Sequence, residues 1–272
     1  MIGVYDSGIG GLSVLRALRA QWPSQDLLYL ADSGHGPYGE RDQAHVMVRA
    51  ERVTAYLIGR GIDALVVACN SATAAAIEEL RAEHPKLPII GVEPALKPAV
   101  SLSRTGRIGV LATRMTLGSP KFARLLQTFE GQAHFQLHAC DGLALAIERS
   151  AQGQADAQQL LLACAREHVQ ALGPLGTATG HIDSVVLGCT HYPLIKSLLQ
   201  DLVGPQVRLI ETGPAVARHT RSRIEQNPAF NQSRAAETGR IELISTGDTD
   251  ILEAAAQRWI DQALQAQHLH LP

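Results

Sequence analysis

Two cysteines close near-copies of one segment: IDALVVACNS (Ile62 to Ser71) and IDSVVLGCTH (Ile182 to His191), with Cys69 and Cys189 120 positions apart. In each copy a Val- and Leu-rich run reads as a strand buried on both faces, and the cysteine falls where the run yields to polar residues and then a helix. That is the carboxyl edge of a strand in an α/β sheet, where ligands collect. Two thiols carried to matching positions by duplicated halves would face one pocket from opposite sides, as a proton donor and a proton acceptor must do to invert a carbon. The chemistry indicated is racemisation.

A thiol titrates near 8.5 when unperturbed, so a base role needs a site that lowers this value, and helix N-termini and cations do so. Each module offers such a terminus: Asn70, Ser71, Ala72 and Thr73 follow Cys69, while Thr190, His191, Tyr192 and Pro193 follow Cys189. Both read as helix starts, the second with proline in its first turn, and their free N–H groups could hold a substrate carboxylate. His191, two residues from Cys189, could favour the thiolate or shuttle a proton. Cys140 and Cys164 lack such a context and read as structural. Near the amino terminus YDSGIGGLSVL sets Asp6, Ser7 and a glycine-rich turn between a strand and a helix. Asp6 could cap that helix, orient an ammonium group or assist Cys69. GIGG is an incomplete dinucleotide fingerprint, so that reading is weak. DSGHGPYGER (Asp32 to Arg41) reads as a loop that closes over the pocket, with Tyr38 and Gly39 as its contact points. No metal site is expected: Cys69, Cys140, Cys189 and His191 are zinc-ligand types, but no C-x-x-C pair exists and C-x-H is a poor seed. A Cys–His hydrolase would leave Cys69 idle.

The elements that must position these groups alternate between β-type and helix-type stretches, which predicts largely parallel sheets covered by helices. The β-type runs are Ile2 to Tyr5, Leu27 to Ala31, Ala64 to Ala68, Pro88 to Val92, Arg107 to Leu111, Phe135 to His138, Ser184 to Leu187, Val207 to Ile210 and Ile241 to Ser245. A second echo, IGVYDS at Ile2 and IGVLAT at Ile108, opens each series that leads to a cysteine module, 60 and 74 residues later. The expected fold class is therefore α/β with two pseudo-symmetric lobes and the active site in the cleft between them. GVEPALKPAV (Gly91 to Val100) reads as the crossover between lobes and GPQVRLIETGP (Gly204 to Pro214) as the return. The first lobe would comprise residues 1–94 plus 209–272 and the second residues 95–208. From Gln152 to Leu172 the apolar spacing of Leu161, Cys164, His168 and Leu172 predicts a helix with Cys164 in its core face.

At 272 residues the chain can bury one large core or two modest ones, and 46% apolar residues disfavour disorder. A net charge of -2 supplies no basic field for nucleic acid or an acidic membrane, so a small-molecule substrate is favoured. No run reaches the roughly 18 apolar residues of a membrane span, and MIGVYDSG enters a strand at once, which points to the cytoplasm and to four free thiols.

YDSGIGGL, ADSGHGPYG, ACNSATA, GVEPALKPA and LGCTHYPL occur in an order and spacing that resemble the glutamate racemases of the aspartate/glutamate racemase superfamily, over nearly the whole chain. The resemblance implies cofactor-independent interconversion of L- and D-glutamate, with D-glutamate supplied to peptidoglycan synthesis, no cofactor, and a homodimer among the allowed assemblies. It implies Cys69 and Cys189 as the acid/bases. Asp6 and Ser7, Tyr38 and Gly39, Asn70 and Ser71, and Thr190 and His191 match the substrate-contacting pairs, with Asp6, His191 and Glu148 as supporting groups, Glu148 by its offset from Cys140. Ser71 stands where the family usually has Thr, and Asp141 where Pro commonly follows the cysteine. Racemases of other amino acids, related isomerases, and a binding protein that has lost turnover share these motifs.

Overall fold

The computed structural model describes residues 1–226, 238–260 and 263–272. The first half of the chain runs β1 (Ile2–Asp6), α1 (Leu12–Gln21), β2 (Leu27–Ala31), a 3-10 turn (Tyr38–Glu40), α2 (Gln43–Gly59), β3 (Ala64–Val67), α3 (Asn70–Glu83), β4 (Ile89–Gly91) and α4 (Leu96–Leu102). There follow β5 (Arg107–Ala112), α5 (Arg114–Gly118), α6 (Pro120–Gln127), β6 (His134–Ala139), α7 (Leu143–Ser150), α8 (Ala155–Gln170), β7 (Ser184–Gly188), a 3-10 turn (Tyr192–Ile195), α9 (Lys196–Val203) and β8 (Arg208–Ile210). The last described elements are α10 (Gly213–Glu225), β9 (Ile241–Ser245), α11 (Thr249–Trp259) and β10 (Ala266–His268).

These strands form two sheets, ordered β10-β9-β2-β1-β3-β4 and β6-β5-β7-β8, and every ladder between them is parallel. The two cysteine-bearing strands are buried along their whole length, as continuous Val/Leu runs require when helices cover both faces. The sheets repeat one plan: β1 lies between β2 and β3 as β5 lies between β6 and β7. Register repeats as well. Ile2 pairs with Ala64, and Ile108 pairs with Ser184, the positions that the two sequence echoes equate. This two-sheet, two-lobe arrangement is the expected α/β fold.

Two expectations need correction. The return to the first lobe cannot fall at residue 209, because Leu209 lies inside β8 and ladders with Val185 of β7; the second sheet extends through Ile210. After Cys189 the chain enters a 3-10 turn before α9 begins at Lys196, instead of starting an α-helix directly. Tyr192, Pro193, Leu194 and Ile195 are all buried in that turn, and the tighter winding draws them into the core. The strand β10 was not anticipated: Ala266–His268 has no Val-rich run and pairs only at the sheet edge, with β9. All four cysteines are free, and Cys164 is only partly buried at the margin of the core.

Candidate active site

The carboxyl ends of β1, β3 and β7 converge where the two sheets meet. Cys69 takes extended backbone angles and caps α3, its Sγ accepting the Ala72 N–H at 3.4 Å. The same thiol donates to Ser7 Oγ at 3.6 Å, Ser7 donates to Asp6 Oδ1 at 3.4 Å, and Thr190 Oγ1 donates to Asp6 Oδ2 at 2.9 Å. Thr190 is the neighbour of Cys189. A chain of hydrogen bonds thus runs from one cysteine to the residue beside the other, and it crosses from one sheet to the next.

Cys189 has a different companion. Its Sγ lies 3.6 Å from His191 Nδ1, and His191 Nε2 lies 2.8 Å from Glu148 Oε1. Glu148 comes from α7 and also accepts the Ile9 N–H at 2.9 Å, so a side chain of the second lobe holds the glycine-rich turn of the first. That turn explains the glycines. A Cβ on Gly8 would fall 1.9 Å from Glu148 Oε1, and one on Gly10 would fall 2.4 Å from His191 Nδ1. They serve close approach between lobes, and no phosphate is needed to account for them.

Burial and charge act strongly on Cys69, Asp6 and His191. Burial, and then the charge of Asp6, push the Cys69 thiol up to about 12, and Cys189 adds to the shift. The two sulfurs are therefore within electrostatic reach. Burial pushes Asp6 up to about 6, although His191, Thr190 and the Gly8 N–H all favour its charged form. For His191 burial works against the charge, but the hydrogen bonds and charges of Cys189 and Glu148 outweigh it and raise its pKa well above the ordinary value. A carboxylate only accepts, so Glu148 fixes a hydrogen on Nε2 and turns Nδ1 toward Cys189.

The remaining predicted residues surround this pair. Asn70 donates to the Val92 carbonyl at 3.4 Å, and its buried Oδ1 has no hydrogen-bond partner among the described residues. Ser71 Oγ lies 3.0 Å from Thr113 Oγ1, at the end of β5 in the other sheet. Tyr38 is fully buried and donates its hydroxyl to Asp32, which also receives Arg49 through Nε at 3.0 Å and Nη2 at 2.9 Å. Gly39 packs so closely on Thr113 that a Cβ would lie 2.6 Å from Thr113 Cγ2. The loop thereby lies across both lobes, and Glu40 completes the span by accepting the Gly142 N–H at the start of α7, at 2.8 Å. Sequence reasoning missed Arg49, Thr113 and Glu40. Their signal is weak because each acts through a residue far away in the chain.

A doubled α/β chain that sets matching buried thiols where its two sheets meet has the architecture of an amino-acid racemase, an isomerase. The Asp/Glu/Hydantoin racemase family profile matches residues 12–220, and the chain belongs to that family. It is 47% identical over 225 residues to a glutamate racemase of Stutzerimonas stutzeri, covering 83% of this chain and 82% of that one. It is 43% identical over 270 residues to that of Ralstonia nicotianae, covering 99% and 93%. Among solved structures it resembles glutamate racemase isoform RacE1 of Bacillus anthracis, with TM-score 0.84, 27% identity and coverage of 100% and 98%. It also resembles the Escherichia coli glutamate racemase in complex with L-glutamate and the activator UDP-MurNAc-ala, with TM-score 0.81, 28% identity and coverage of 97% and 96%. Among the described residues no helix is long and apolar enough to cross a membrane.

Proposed function

We propose that this chain interconverts L- and D-glutamate with Cys69 and Cys189 as opposed acid/bases, and that the D-glutamate supplies peptidoglycan synthesis. The observation that carries this reading is the hydrogen-bond chain from Cys69 through Ser7 and Asp6 to Thr190, which ties the two cysteine modules into one buried site. The relatives named glutamate racemase select the substrate, and the activator in the E. coli complex points to the cell wall. The first lobe, residues 1–94 and the segment after Ile210, provides Cys69; the second, residues 95–210, provides Cys189.

The thiols have different partners. Cys69, raised to about 12, rests as a neutral thiol and donates; Cys189, with His191 Nδ1 at 3.6 Å, serves as the base. For the opposite enantiomer Cys69 must first lose its proton, and Ser7 and Asp6 provide the route. A substrate ammonium beside Asp6 neutralises the charge that holds the Cys69 thiol up, so substrate binding lowers the cost of that step. Asn70 Oδ1 accepts from the ammonium, while backbone N–H groups after Cys69 and Cys189 and the hydroxyls of Ser7, Ser71 and Thr190 hold the carboxylates. Tyr38 and Gly39 close the loop over the substrate. Positioned acid/base groups contribute about 10²- to 10⁴-fold each, too little alone for an amino-acid α-carbon, so exclusion of water and fixed donors supply the rest.

Cys69→Ser and Cys189→Ser should each reduce racemisation of either enantiomer by a factor of roughly 10³ or more, read by circular dichroism of glutamate. A near wild-type rate in either variant defeats the two-base account. Aspartate or alanine exchanging its α-proton in heavy water as fast as glutamate would overturn the substrate assignment.

A further inference from the structure

Outside the thiol pair, three ligating atoms of the second lobe converge at the carboxyl end of β6. One ring nitrogen each of His138 and His168 and the Sγ of Cys140 all lie within 4.8 Å of one another. His138 and Cys140 are two positions apart on chain leaving an edge strand, and His168 arrives from α8, 28 residues further on. The two imidazoles meet at 2.9 Å through His138 Nε2 and His168 Nδ1. The other His168 nitrogen, Nε2, lies 3.0 Å from the Asp141 carbonyl. A carbonyl only accepts, so Nε2 carries the hydrogen and Nδ1 turns a lone pair toward His138 and Cys140. Metal-bound histidines are oriented in this way, one nitrogen on the ion and the other held by a backbone carbonyl.

We propose that His138, Cys140 and His168 bind a zinc ion, with the fourth position open to water. Two imidazoles and a thiolate select zinc over magnesium or calcium, whose preference is for oxygen. Tetrahedral zinc with bonds of about 2.0–2.3 Å sets its ligand atoms roughly 3.3–3.6 Å apart. The two rings therefore separate by a few tenths of an ångström, and the sulfur moves inward where it now lies further off. On binding, the Cys140 thiol releases its proton to solvent while His138 shifts its hydrogen from Nε2 to Nδ1, so one proton leaves per ion. His138 stands partly exposed on the edge strand and gives the ion its way in, whereas Cys140 and His168 are buried. The site is independent of the racemase reading, which uses none of these three residues. It shares a core with the active site, since Cys140 and Cys189 belong to one cluster of buried residues.

The test uses the full chain, freed of metal by chelation, and titrated with Co²⁺ and then Zn²⁺. One cobalt ion per chain should produce a thiolate-to-cobalt charge-transfer band, which zinc then displaces. Cys140→Ser should abolish the band. His138→Ala should weaken binding by more than the roughly tenfold that loss of an outer-shell partner costs. Zinc should raise the melting temperature of the wild-type chain and much less that of His138→Ala. Because His138 is on a half-exposed edge strand, this variant keeps the proposal decidable if Cys140→Ser fails to fold. Absence of the band overturns the proposal, as does a band that survives Cys140→Ser or His138→Ala and vanishes in Cys189→Ser, which would place the ion on Cys189 and His191.

Discussion

Thr190 donates its hydroxyl to Asp6 at 2.9 Å, so the residue beside Cys189 is bonded to the carboxylate that raises the pKa of Cys69. One carboxylate serves both halves of the site. The repeat alone would not provide this, because the position equivalent to Asp6 in the second echo is Ala112. Duplication made the two thiols alike, and divergence around them made one partner Asp6 and the other His191 with Glu148.

Asp6 carries a cost that can be measured. Its pKa is raised from 3.8 to about 6, so the folded chain binds this proton more tightly than the unfolded chain does. The contribution to stability is complete below the unfolded pKa and lost as pH rises through the folded value. Relative to wild type, Asp6→Asn should gain on the order of 3 kcal/mol between pH 3.5 and pH 7.5, while losing racemase activity. Urea denaturation at the two pH values measures this, and a stability difference that does not change with pH would contradict it.

After burial, the charge of Asp6 is what holds the Cys69 thiol protonated. In Asp6→Asn the pH dependence of Cys69 alkylation, followed by peptide mass spectrometry, should shift to lower pH than in the wild type, where the thiol titrates at about 12. The nucleophile is the thiolate, so removal of a neighbouring negative charge should speed the reaction at a given pH. An unchanged profile would remove Asp6 as the cause.

Glu148→Gln keeps an oxygen for the Ile9 N–H but removes the charge that favours imidazolium at His191. A histidine pKa raised by folding stabilises the chain fully below the unfolded value of about 6.5 and ceases to do so as pH rises through the folded value. The destabilisation by Glu148→Gln should therefore be greatest below about pH 6.5 and decline in alkaline solution. Melting temperatures across that range test it; a penalty that grows with pH would reverse the sign.

Close approach at the turn predicts that Gly10→Ala lowers activity and destabilises the chain by about 1–3 kcal/mol, since the new methyl would press on His191 and Thr190. Gly59→Ala is the control. A Cβ there meets nothing within 4 Å, so the substitution in α2 should be neutral or slightly stabilising. Equal effects at the two positions would refute the close-approach account.

Much of the fold was legible because the strands β1 to β9 are short apolar runs bounded by turn residues, and each predicted run overlaps one of them. The edge strand β10 escaped because pairing with β9, and no apolar pattern of its own, makes AQH a strand. Asp6, Ser7, Asn70, Ser71, Thr190 and His191 were visible as polar residues placed directly after buried strands. Arg49 was hidden because a charged residue within a helix ordinarily faces water, yet here it is buried on Asp32. His168 read as one more position in an apolar helical stripe. Only its approach to His138 and Cys140 gives it a second meaning.

The sequence by itself determined that two equivalent strands end in cysteine, because duplication and Val-rich patterning are written locally and repeat in order. Tertiary structure alone decided which groups tune each thiol and which histidines meet a third cysteine. The distances that set a pKa or hold an ion arise between residues far apart in the chain, and they exist only after the two sheets have packed together.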